Sequence, residues 1–412
     1  MRSTLALVLT LAAVAAAPPL QAQRDAQTPR RPALASADTN DARAYLQFAA
    51  QNLNGRPREA ADAYWWAYQL DPTSSDALYG RHAALLMSVP SRLVGYWNGE
   101  RRVVRSREVQ AIDSLYFRAL TMNPFMYREH EHHVFRLYLR TWARDVIDRS
   151  RGGHSVSEAV INEWINDVMH NGSPYMKARE AYSQRRFPDA LRLMDEAYRE
   201  ARSRSRSWLR AERARLLAHT GNNPAALADF ASAIADMRGG DERELVFVYE
   251  SKALLEHAVG MLHERMGNVD AAREAYGRAL TEDLAFYPAH VRLGLLALAA
   301  GDTATAVGEL DLAAQAAGPD PSVHYTYGAV LAQLGRLDEA AAQLTRASEL
   351  APFYADPWFA LGVVRDGEAN VDGARQAYQA FLARAAASHR RRAAAEQRLR
   401  DLGASPEPAG GR

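Results

Sequence analysis

Gly260, Gly294, Gly328 and Gly362 follow one another at steps of 34 residues. Ala272, Ala306, Ala340 and Ala374 keep the same step. Four residues beyond each alanine stands a bulky side chain (Tyr276, Leu310, Leu344, Tyr378), and three further on come Ala279, Ala313, Ala347 and Phe381. A period of this length restricts the chain to an array in which each unit buries its apolar face against the next. The columns continue upstream at wider steps, 36 residues (226 − 190) and 46 residues (272 − 226). Ala190, Met194 and Ala197 mark one such unit, and Ala226, Phe230 and Ala233 another, with Gly221 at its turn. Ala60, Tyr64, Ala67 and Pro72 mark the first.

Within a unit, apolar residues recur every three or four positions and prolines sit at boundaries, which predicts helices. The stretch LGRLDEAAAQLTRASELAP, residues 334–352, shows the logic. Ala340, Leu344 and Ala347 share one helix stripe, and Gly328 on the preceding helix faces it. Small residues at such places let two backbones approach closely. A leucine at Gly328 is therefore expected to overpack the contact, at a cost of about 1–3 kcal/mol. No alternating strand pattern appears between residues 41 and 402, so the expectation is an all-α solenoid.

These columns resemble the tetratricopeptide repeat, a 34-residue helix hairpin with a small residue in each helix. The unit DPWFALGVVRDGEANVDGARQAYQAFLA carries the pattern well, with Trp358, Leu361, Gly362, Ala374 and Tyr378 in place. The resemblance implies a right-handed superhelix of antiparallel pairs, seven or eight units in all, the second and third degenerate. First helices of such arrays line a concave groove. Carried onto this chain, the groove positions are Tyr45, Tyr175, Arg179, Tyr182, Trp208, Arg215, His219, His257, Arg265, Tyr325 and Phe359. The two-carboxylate clamp of chaperone-binding members needs lysine and asparagine where this chain has Tyr175, Arg179, Ala211 and Arg215, so no such clamp is expected.

The domain reading follows the pattern. Residues 1–22 read as an export signal: Arg2, then an apolar run from Leu5 to Ala17 that is too short to span a bilayer, then small residues up to Ala22. Residues 23–40 read as a flexible leader and 41–172 as divergent helix pairs with an insertion near 87–107. The array proper spans 173–386, a capping helix 387–403, and a disordered tail 404–412. Export places the protein in the periplasm or outside the cell. Ser155 and Glu158 fit a capping box ahead of an apolar helix face.

The sequence argues against most chemistry. No cysteine is present, which excludes disulfides, thiolate metal sites and cysteine nucleophiles. There is no Gly-x-Ser-x-Gly elbow and no phosphate-cradling glycine loop. Net charge is +1, so no overall field favours nucleic acid. In REHEHHVF, Glu129, His130 and His133 stand at helix-face spacing and are the best candidates for a metal, the basis of an alternative reading as a metal-dependent hydrolase or carrier. DGEANVDG at 366–373 does not have calcium-loop spacing and falls at a turn between helices. Residues 185–215 hold ten arginines against five acids, which suits an acidic partner or a solvated, paired face equally. Tyr96 and Trp97 in the insertion are a second candidate contact. The overall expectation is a non-catalytic scaffold without cofactor, binding a peptide or protein in the cell envelope, with membership of a membrane-associated complex as a further alternative.

Overall fold

The computed structural model describes residues 28–34, 37–89, 96–98, 101–103, 107–150, 157–201, 206–239 and 251–403. The expected signal at 1–22, the tail at 404–412 and Ser155 fall outside them.

The described residues form nine consecutive helix pairs and a closing helix. The first three pairs are α1 (Ala42–Asn52) with α2 (Pro57–Leu70), α3 (Ser75–Ser88) with α4 (Arg107–Met122), and α5 (Glu131–Ser150) with α6 (Glu158–Asn171). Next come α7 (Pro174–Ser183) with α8 (Phe187–Glu200), α9 (Arg206–His219) with α10 (Asn223–Gly239), and α11 (Lys252–Arg265) with α12 (Val269–Glu282). The last are α13 (Tyr287–Ala299) with α14 (Thr303–Ala316), α15 (Pro321–Gln333) with α16 (Leu337–Leu350), and α17 (Asp356–Gly367) with α18 (Val371–Arg384). Helix α19 (Arg392–Asp401) closes the array, burying Ala395 and Leu399 against Phe381, Leu382 and Ala385. Nine pairs exceed the seven or eight expected, because residues 107–171 build helices whose facing sides lack the small-residue columns.

Two further details differ from expectation. The insertion carries a short antiparallel hairpin, β1 (Tyr96–Asn98) with β2 (Arg101–Val103), so the chain is helical with one two-stranded exception. Helix α6 is capped by Ser157, whose hydroxyl accepts from the Val160 N–H.

The repeat columns do what their sizes dictate. Ala272, Ala306, Ala340 and Ala374 are fully buried. The glycines oppose the bulky residue 16 positions on: a Cβ at Gly294 would lie 2.8 Å from Leu310 Cγ, at Gly328 2.7 Å from Leu344 Cγ, and at Gly362 2.6 Å from Tyr378 Cε1. Gly260 meets the Tyr276 ring in the same way. No side chain fits these gaps without displacing a neighbour, so glycine is enforced by contact with the large residue as well as by close helix approach.

Six of the turns within pairs share one construction. The residue after the left-handed position donates its N–H to the carbonyl five residues back, as in Asn222 to Leu217, Asn268 to His263, Asp302 to Ala297 and Arg336 to Leu331, at 2.8–2.9 Å. This is a Schellman closure, which needs a left-handed residue just past the helix. Gly221, Gly267, Gly301 and Gly335 supply it with φ of 87°, 77°, 80° and 74°. The other two turns use Arg185 and Ala369, both at φ 57°.

The leader and the first pair also touch the last units. The Asp38 carboxylate accepts from the Ala387 N–H at 2.6 Å, and Asn40 donates to the Ala383 carbonyl at 3.1 Å. Trp66 meets Phe353 edge-on at 4.8 Å. The leader, read as flexible, is held at its described positions: Trp66 donates to the Pro29 carbonyl at 3.0 Å, and the Arg31 guanidinium lies 4.5 Å from the Trp66 ring.

Candidate functional site

Residues 118–131 pack against the first helices of successive pairs, from α7 to the start of α15. Asn123 and Pro124 end α4, and the Asn123 side chain accepts from the Phe125 N–H at 3.1 Å to turn the chain. The segment then runs from one first helix to the next. Arg118 reaches Asp320 at the start of α15 (3.4 Å), where Tyr287 of α13 also donates at 3.1 Å. Thr121 and Met122 share a cavity of about 150 Å³ with His257, Tyr287 and Asp320. Phe125 packs among Ala211, Ala214 and Ala218 of α9, Phe230 and Leu262. Tyr127 lies 5.1 Å from the Tyr182 ring and stacks on His219 at 5.7 Å. The Arg128 N–H donates to the Tyr182 hydroxyl at 2.9 Å.

A buried charge network anchors the end of this segment. Arg128 grips Glu212 of α9 through both guanidinium nitrogens, at 3.0 and 2.5 Å, and stands 3.4 Å from Glu131. Arg179 pairs with Glu131 at 2.9 Å and Arg215 with Glu212 at 2.9 Å. Burial alone would raise the Glu212 carboxyl, but Arg128, Arg215 and Arg179 outweigh it and hold Glu212 well below the usual carboxylate range. For Arg128, burial opposes the charge, yet Glu131 and Glu212 keep it firmly protonated.

The sequence-derived groove residues therefore fall into three sets. Arg179, Tyr182, His219, His257 and Arg265 lie along residues 118–131, and Arg215 pairs with Glu212, the partner of Arg128. Tyr175 and Trp208 meet edge-on at 4.8 Å beside them, with Tyr175 accepting from Arg179 at 2.7 Å. The rest are engaged elsewhere. Tyr45 is fully buried and accepts from Arg31 at 2.8 Å. Tyr325 accepts from Arg391 at 3.1 Å, and that guanidinium lies 5.3 Å from the Phe359 ring. Sequence reasoning missed the inserted segment itself; its signal was the loss of small-residue columns after Asn123-Pro124.

The candidate metal ligands do not come together. Among the described residues no group of three His, Cys, Asp or Glu side chains converges. His130 precedes α5, and its Nε2 is engaged with the Tyr64 hydroxyl at 2.6 Å. Burial, and then His133, push its pKa down to about 4. Tyr96 and Trp97 lie in β1, their backbones paired with Val103 and Arg102. Of the seven arginines of 185–215 whose side chains are described, five are ion-paired: Arg186 and Arg192 with Asp189, Arg210 with Asp236, Arg213 with Asp195 and Asp229, Arg215 with Glu212. No helix among the described residues is long and apolar enough to cross a membrane.

What the segment leaves open is a cavity of about 480 Å³ between it, α1–α3 and the ends of α7, α9 and α11. Its walls include Tyr64, Asp76, Tyr127, Glu129, Arg185 and Arg265, with His219 exposed at its margin. That volume falls within the range of ligand sites.

Family models describing tetratricopeptide repeats match residues 175–242, 258–321 and 321–354. With the helix pairs and glycine contacts above, these show tetratricopeptide repeats over the matched residues. No curated protein sequence matches it. Among solved structures it is similar to the C-terminal part of a TPR repeat-containing protein from Cytophaga hutchinsonii, with 13% identity over 55% of this chain and 83% of that one, at a TM-score of 0.42. It is also similar to the Cut9–Hcn1 hetero-tetramer of the APC/C (16% identity, 86% and 62% coverage, TM-score 0.42). YrrB, a TPR protein described as having an unusual peptide-binding site, gives 20% identity, 46% and 90% coverage, and a TM-score of 0.36.

Proposed function

We propose that this protein is a non-catalytic scaffold of the cell envelope that holds another protein or a peptide on its concave side. The observation that carries the reading is the open cavity beside residues 123–130, which two of the sequence-derived groove residues, His219 and Arg265, line beside aromatic rings. Aromatic and arginine side chains offer large contact area and directed donors, the chemistry of recognition surfaces. Arg185 and Arg265, which line the cavity without an ion pair among the described residues, support a partner with acidic groups, and the apolar run of residues 5–17 supports export.

A photo-crosslinking residue at His219, compared with one at Leu312, tests this in the producing cell. Leu312 is 47% exposed on the second helix α14. A discrete adduct from position 219 and none from position 312 is expected. Equal labelling from both, or from neither, removes the concave side as the binding face. Fractionation of cells expressing the chain with and without residues 1–22 tests the location: only the full chain should leave the cytoplasm.

A further inference from the structure

One residue of the cavity wall stands where the fold prefers glycine. Four of the six Schellman turns use glycine at the left-handed position, and the turn between α7 and α8 uses Arg185 at φ 57°. An L-residue there is strained, as Ala369 is in the turn between α17 and α18, and at Arg185 the strained position sets a guanidinium on the cavity wall. The Arg185 guanidinium lies over the Tyr127 ring at 4.7 Å, facing the cavity. Arg265 lies over the Phe125 ring at 4.3 Å on the same wall. Among the described residues neither arginine makes an ion pair, although most of the surrounding arginines do. Both arginines are exposed, and each guanidinium, held over an aromatic ring without a carboxylate partner among the described residues, presents its fork of donors to an incoming anion. Asp76 and Glu129 also line the cavity, and both act electrostatically on Tyr64. An all-acidic ligand would meet repulsion there, whereas a ligand of both signs would satisfy the two sets of groups.

We propose that this cavity binds a peptide segment of mixed charge, its carboxylate held by Arg185 and Arg265 and its cationic group by Asp76 and Glu129. The inference rests on the scaffold reading above and specifies the chemistry of what is held. Arg185 is then a ligand-binding residue for which the turn accepts strain.

The test uses the full chain and four N-acetylated, C-amidated hexapeptide mixtures: Glu with Lys, Glu alone, Lys alone, and uncharged Ser with Ala, titrated calorimetrically. The mixed-charge set should bind tightest. Arg185→Gly should weaken it on the order of 10-fold or more, from the loss of charge-assisted hydrogen bonds. That variant relieves the turn, so weakened binding together with a raised melting temperature cannot come from unfolding. Arg265→Ala should weaken binding similarly. Binding of the Glu-only set as tight as the mixed set overturns the two-signed site. Mixed-charge binding unchanged by both substitutions puts the ligand elsewhere and overturns the inference while leaving the scaffold reading intact. If no mixture binds, the inference falls, and the scaffold reading falls with it only where crosslinking at position 219 also fails.

Discussion

The Asp38 carboxylate accepts the Ala387 N–H at 2.6 Å across 349 residues of chain, and Asn40 beside it donates to Ala383. Repeat arrays are held mainly by contacts between neighbours, so this head-to-tail contact is an addition to the ordinary stability of the solenoid. Both bonds are exposed, and each contributes about 0.5–1.5 kcal/mol at most. Replacing Asp38 and Asn40 with alanine is expected to speed hydrogen exchange at Ala387 and through α19 while leaving α13–α16 unchanged. Unaltered exchange in α19 would show that the closure exerts no hold on the C-terminal cap.

Gly328 and Leu344 test the repeat columns. A Cβ on Gly328 would sit 2.7 Å from Leu344 Cγ and 3.2 Å from the Ala340 carbonyl oxygen. Gly328→Ala should cost about 1–3 kcal/mol in urea melts, despite alanine's better helix propensity. In the double variant with Leu344→Ala the clash with the leucine disappears and only the Ala340 carbonyl contact remains, so its loss should be smaller than the sum of the two singles. Additive losses would mean the glycine serves something other than this contact.

The regular half of the fold was legible because each column has one physical cause. Gly294 and Ala306 recur since the contact they form recurs. The middle was not legible for the same reason. Residues 118–131 pair with first helices far away in sequence, Arg118 with Asp320 and Arg128 with Glu212, and nothing in local spacing records such pairings. The groove positions were found as positions, but their contents were not. His219 and Arg265 face an open cavity, whereas His257 and Arg215, read identically from the repeat, are covered. Arg185 was hidden as one of ten arginines; its backbone angle, not its identity, sets it apart.

That angle makes a stability prediction. A non-glycine residue in the left-handed region costs roughly 1–2 kcal/mol, offset in part by the roughly 0.5–1 kcal/mol of chain entropy that glycine loses on folding. Ala369, at φ 57° in the turn between α17 and α18, isolates the backbone contribution because its side chain is a single methyl. Ala369→Gly and Arg185→Gly should each raise the melting temperature modestly. A fall for Ala369→Gly would show that the turn tolerates the L-residue without strain.

His130 and His257 set an acid limit. Burial leads the lowering of both, to about 4 and about 3, with His133 and Arg292 adding to it. The unfolded histidines titrate near 6.5. Below that pH the unfolded chain takes up protons that the folded chain does not, so stability falls on acidification. The loss from His130 runs from pH 6.5 to its folded value near 4, and from His257 to near 3, each with a slope of about 1.4 kcal/mol per pH unit at most. Urea midpoints between pH 7 and 4.5 should fall, and His257→Leu should flatten the curve. An unchanged slope in that variant would mean His257 is not buried neutral.

Arg128, Arg179 and Arg215 face Glu131 and Glu212 in the knot that fixes the inserted segment, and the count of charges predicts an asymmetry. The Arg128 and Glu212 side chains are only 7% and 13% exposed, so solvent offers little compensation to an unmatched charge. Glu212→Gln leaves three guanidinium groups against one carboxylate. Removing one partner of a buried pair costs about 3–5 kcal/mol. Arg128→Met instead leaves Arg179 with Glu131 and Arg215 with Glu212, two matched pairs, and keeps much of the arginine's apolar stem volume. Glu212→Gln should therefore destabilise more than Arg128→Met, and it should also open residues 118–131 to limited proteolysis, because the segment loses its anchor on α9. If Arg128→Met proves as damaging in denaturant melts, hydrogen bonding of the Arg128 guanidinium to Tyr116 outweighs charge matching, and the segment is held by that bond instead.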